Sequence, residues 1–140
     1  MDMKKIIEKF ISIEKELADE KGSFVLFALF EREDALNNKQ DVVISAPWLG
    51  ENKKETLRFI IDRISSKLAS EELIKLSRVV LLEPTDDIVK SVNNAIQIEH
   101  GNAELVDYTF NGILIKHAHI VTSKHPPYEK DSLQVKKIVE

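Results

Sequence analysis

Apolar residues at Ile6, Phe10, Ile13 and Leu17 recur three and four positions apart, with Ile7 and Ile11 widening the stripe. Lysines and glutamates fill the opposite side, so the spacing predicts an amphipathic helix over residues 4–19, stopped at Gly22. Residues 23–32 are apolar on both alternating faces and too short for a buried helix, and they read as a strand. A polar loop over 33–40 leads to a second strand, 41–46, which Pro47 ends because proline has no N–H to give a ladder.

Asn52 followed by Glu55 three positions later is a capping-box pattern. It opens a helix whose stripe is Leu57, Ile60, Ile61, Ile64 and Leu68. Residues 71–76 offer a further turn of helix. From Arg78 a third strand runs through Val79, Val80, Leu81 and Leu82, apolar on both sides, as a central strand covered by helices would be. Thr85 is the expected cap of a third long helix, with Asp86 and Asp87 in its first turn and Ile88, Val92 and Ile96 buried. Gly101 closes that helix. Residues 104–110 then alternate, Val106, Tyr108 and Phe110 on one side, in the manner of a half-exposed edge strand. Asn111-Gly112 is a type I′ hairpin signal, which makes 113–122 the antiparallel partner.

The predicted order is α-β-β-α-β-α-β-β, with hairpins at both ends and two strand–helix–strand units favouring parallel crossovers. One domain over residues 1–125 follows: an α/β fold bordering on α+β, with a mixed five-stranded sheet and about three helices packed on it. Pro126-Pro127 ends the regular fold. Residues 126–140 form an extension whose Leu133, Val135, Ile138 and Val139 are expected to dock on this domain or on another subunit.

Composition narrows the chemistry. The chain has 140 residues, no cysteine, a net charge of −4 and four isolated glycines. These exclude disulfides, thiolate metal centres, cysteine nucleophiles and glycine-rich phosphate loops. There is no basic cluster, and sixteen lysines to four arginines argue against nucleic acid. The longest apolar run, 24–30, is too short to span a bilayer, and no signal-peptide core is present, so the expectation is a cytoplasmic protein without a membrane partner.

Two constellations remain. If the second and third strands are parallel neighbours, their carboxyl ends gather Ser45, Trp48, Glu83, Thr85, Asp86 and Asp87 at one sheet edge, where open α/β sheets bind ligands. Such a cleft would take a hard cation or a basic peptide. Each member also has a plain structural use, as cap, dipole partner or core cover. The second constellation is His117 and His119, two apart on the last strand and therefore on one face, about 7 Å apart along it. They have the geometry to share zinc, with His100, Asp107 or His125 completing the shell, though the same face carries the core-like Ile113, Ile115 and Val121.

No nucleophile elbow or phosphate loop is present, and no cofactor is expected. The leading expectation is therefore a small acidic binding, adaptor or immunity-type module acting on a protein partner or its own copies, with its modest net charge steering a basic partner. A metal-dependent hydrolase or nuclease using His117 and His119, or the Glu83, Asp86 and Asp87 edge, is the alternative. A small-molecule sensor with a pocket beside Trp48 is a third.

Overall fold

The apolar pattern closes into a mixed five-stranded sheet between helices, an α+β domain. It is seen in a computed structural model that describes residues 3–34, 38–110 and 112–125. The elements are α1 (Met3–Lys21), β1 (Leu26–Arg32), β2 (Gln40–Ser45), a 3₁₀ turn (Pro47–Leu49), α2 (Lys53–Lys67), α3 (Ser70–Leu73), β3 (Leu76–Leu81), α4 (Asp87–Ala95), β4 (Ala103–Phe110) and β5 (Ile113–Ser123). The extension 126–140 lies outside the described residues, as do Asn111 of the hairpin and 35–37 of the first loop. Among the described residues no helix is long and apolar enough to cross a membrane.

The strand order is β3-β2-β1-β5-β4. β2 and β3 are parallel, joined through α2 and α3, and every other neighbouring pair is antiparallel. The second strand–helix–strand unit is not a parallel crossover. α4 carries the chain from one edge of the sheet to the other, and β4 returns antiparallel to β3. β3 is accordingly an edge strand and not the central one its apolar run suggests; the centre is β1, buried from Leu26 to Phe30.

Helices cover the two faces unequally. α1 and α2 share one face. Ile6, Phe10, Ile13 and Leu17 of α1 and Ile60 and Ile64 of α2 pack there on Phe27, Leu29, Val42 and Ile44. Ile61, expected in the α2 stripe, is 39% exposed instead. Among the described residues, the one helix on the other face is the nine-residue α4, whose Val89 and Val92 meet Val25, Leu26, Ala28 and Ile120. Asn93 fixes this helix to the sheet, donating from Nδ2 to the Val25 carbonyl at 3.1 Å and to Ser123 Oγ at 2.9 Å. That bond turns Val89, Val92 and Asn93 inward, whereas the apolar spacing alone points to Ile88, Val92 and Ile96.

Two register shifts shape the central pairing. β5 slips against β1 between Phe27 and Ala28 and again between Glu31 and Arg32. In β4, Asp107 takes a positive φ of 53° close to the second slip. Side chains on either side of this irregularity change sheet face. His117 and His119 sit on the α1 side of the break, and Ile115, Tyr108 and Phe110 on the α4 side. The even alternation expected for 104–110 does not survive it.

Candidate functional site

His117 and His119 project side by side from β5, their rings stacked with centroids 4.5 Å apart. The ladder places Glu104 of β4 opposite His119, and Val106 opposite His117. Glu104 Oε2 meets His117 Nε2 in a close hydrogen bond. Among the described residues, Glu104, His117 and His119 are the one group of three such side chains whose ligand atoms all lie within 4.8 Å of one another. They grade from the exposed Glu104, through the half-buried His117, to His119 at 8% exposure. Nδ1 of His119 is buried with no hydrogen-bond partner. Burial, and then the neighbouring His117, hold its pKa below the ordinary histidine value, while Glu104 and Glu31 pull the other way. That shift favours the neutral imidazole. Glu31 flanks the pair from β1, opposite His117 in the ladder.

The other expected ligands are elsewhere. His100 lies in the turn before β4, where Nδ1 contacts Glu14 Oε1 at 2.6 Å. Asp107 occupies the irregular position of β4, outside the group, as does the exposed His125. Glu104 had a sequence signal. A two-residue loop at Asn111-Gly112 sets Phe110 opposite Ile113, and counting back along both strands puts Glu104 opposite His119.

The carboxyl ends of β2 and β3 do open on the same edge, but the residues there have other work. Trp48 donates from its indole N–H to the Gly22 carbonyl at 2.7 Å and packs edge-on to Phe24. Ser45 is fully buried, with its hydroxyl unpartnered. Glu83 is paired with Lys53. Asp86, and not Thr85, caps α4, accepting from the Ile88 N–H at 2.8 Å, while Thr85 and Asp87 are exposed. Asp87 sits in the first turn of α4, as expected. No cluster of carboxylates with metal-ligand spacing forms there among the described residues. Two open hollows share Leu49 and Gly50 at this edge, one lined also by Ala46, Pro47, Glu83 and Pro84, the other by Lys21, Trp48, Asn52, Glu55, Thr56 and Phe59.

One surface is invisible in the linear pattern. Beyond the N-terminal end of the short α4, no described helix covers the sheet face, and a small groove of about 80 Å³ lies among the buried Phe30, Val43, Phe110 and Ile115 and the half-buried Val80. Phe30 and Phe110 stack in its wall with centroids 5.6 Å apart, and Tyr108 stacks on Phe110 at 4.7 Å, outside the lining. At its end the buried Asp41 holds Arg32 Nε at 3.1 Å and Arg78 Nε at 3.3 Å. Asp34 lies 3.7 Å from the Arg32 guanidinium. Ile113 and Tyr108 stand about two-fifths exposed at this end of the sheet.

Comparison with protein families finds no matching family model, and comparison with curated proteins and with solved structures finds no match.

Proposed function

We propose that the protein is a non-enzymatic binding module that docks a protein partner on the open half of the sheet face beside α4. The observation that carries this reading is the unequal covering of the sheet: two long helices on one face, one of nine residues on the other. An apolar groove left open at one end of a core is what binding surfaces are made of. Its lining includes Phe30, Phe110, Arg32 and Arg78, and the half-exposed Tyr108 stacks on Phe110 beside it; aromatic and arginine side chains are the types that concentrate binding energy at interfaces. The rim is mixed in charge, two arginines against Asp41 and Asp34. The partner is therefore one that inserts an apolar side chain and sets a carboxylate or carbonyl oxygen against Arg78. The net charge of −4 acts only on the approach, since free charges are screened beyond about 10 Å in ordinary salt.

The test uses the full chain and two variants, Ile113→Asp and Tyr108→Asp, which place a charge at exposed positions beside the groove. The expected result is a protein, or a second copy of the chain seen by sedimentation, that is held by the wild type and lost by both variants. Their circular dichroism and melting should match the wild type. If nothing is retained at physiological salt, or if all three proteins retain the same species equally, the reading fails.

A further inference from the structure

We propose that Glu104, His117 and His119 form a binding site for a single Zn²⁺ ion that cross-links the edge strand β4 to β5. The site is separate from the groove and does not depend on the docking reading. The donor set chooses the metal: two imidazoles and one carboxylate suit zinc, whereas Mg²⁺ and Ca²⁺ want oxygen ligands throughout. All three side chains come from one ladder. Glu104 lies directly opposite His119, with His117 two residues along β5 on the same face, so the backbone fixes their relative positions without any loop. Their ligand atoms lie within 4.8 Å of each other. Ligands of a tetrahedral zinc stand about 3.4 Å apart, given metal–ligand bonds of ~2.1 Å. Rotations of the exposed Glu104 and half-buried His117 close that difference. The cost is the present Glu104–His117 hydrogen bond, which two metal–ligand bonds replace.

Burial grades across the site in the way a bound ion needs. His119 is the anchored ligand at 8% exposure, and the exposed Glu104 leaves the fourth position to water. Glu31, opposite His117 in the ladder, adds negative potential behind the imidazoles. Lys116 stands 3.8 Å from the Glu31 carboxylate and offsets part of that potential.

The full chain, stripped by chelator and returned to buffer, is titrated with Zn²⁺ by calorimetry and with Co²⁺ by visible absorption. The expected result is one equivalent bound, Co²⁺ bands of low-coordinate N/O ligation, and a melting temperature that rises with free Zn²⁺ as mass action requires. Glu104→Gln and His117→Gln, both at accessible positions, should each weaken binding at least tenfold while melting like the wild type without metal. Asp107→Asn should leave it unchanged. No saturable binding by the folded wild type overturns the proposal. So does binding of undiminished strength in both Glu104→Gln and His117→Gln, which would place the ion elsewhere.

Discussion

At the scale of single residues, Glu14 shows how a core accommodates a carboxylate. It lies in α1 four positions after Phe10, within the apolar stripe, and it is fully buried. Both oxygens are used. Thr122 Oγ donates to Oε2 at 2.8 Å, and His100 Nδ1 lies 2.6 Å from Oε1. The His100 backbone N–H in turn donates to Thr122 Oγ at 3.1 Å, from a residue held at φ 55°. The network ties α1 to β5 and to the turn that launches β4. A buried acceptor that loses a donor costs about 1–3 kcal/mol. Thr122→Val is therefore expected to lower unfolding stability by that amount in urea titration. Glu14→Leu combined with Thr122→Val should cost less than the two changes added, because the pair is coupled and both partners are then apolar. Simple additivity would show that the contact carries no shared energy. The sequence does carry the hint that Glu14 interrupts a stripe of Ile6, Phe10, Ile13 and Leu17. It holds no clue that the partners are His100 and Thr122, since 86 and 108 positions separate them from Glu14.

At the scale of elements, what could be read from the chain was local and what could not was relational. The Asn52 cap is present as spaced, with Glu55 N–H donating to Asn52 Oδ1 at 3.1 Å. Glu55 Oε2 accepts from the Asn52 side-chain Nδ2 at 2.7 Å and not from its backbone N–H, so the reciprocal half of the expected box is replaced by a side-chain pair. The cap of α4 was misplaced by one residue, because Thr85 and Asp86 are equally good capping types and periodicity cannot choose between neighbours. The structure chooses Asp86, so Asp86→Ala should cost about 1 kcal/mol and Thr85→Ala should stay within roughly 0.5 kcal/mol of wild type. Equal losses in thermal or urea melts would contradict the cap assignment. β3 failed for a deeper reason. Val79 and Leu81 pack toward the α1–α2 face, while Val80 and Leu82 line the groove on the other. The strand is apolar on both sides and still lies at the edge. Hydrophobic period reports the faces of a strand and is silent about its hydrogen-bonding edges. The histidine pair was legible from its two-residue spacing. Ile115 leaves that face only because the slip between Glu31 and Arg32 intervenes, and a bulge of that kind has no side-chain pattern.

At the scale of the whole molecule, three ion-paired carboxylates join segments far apart in the chain. Glu20 of α1 receives two hydrogen bonds from Arg63 of α2, at 2.7 and 2.8 Å. Glu72 of α3 accepts from Lys9 of α1 at 2.6 Å and from the Ala69 N–H at 2.7 Å. Glu99, before β4, accepts from Lys124, just past β5, at 2.6 Å. In each case the hydrogen bond from the basic partner is the main force holding the carboxyl pKa below its ordinary value of 4.5, against an opposing effect of burial. A folded-state pKa below the unfolded one means that the unfolded chain binds the proton more readily. The stabilisation is then complete above about pH 4.5 and is withdrawn as pH falls through that value toward the folded pKa. Unfolding free energy measured by urea titration between pH 7 and pH 3 should hold through the upper range and decline below about 4.5. The triple variant Glu20→Gln, Glu72→Gln, Glu99→Gln should decline less over the same interval while starting from a lower plateau. Because the Glu20 and Glu99 carboxylates are exposed while that of Glu72 is buried, added salt should lower the wild-type plateau only part of the way toward that of the variant. Identical slopes below pH 4.5 in the two proteins would locate the acid sensitivity in other carboxylates.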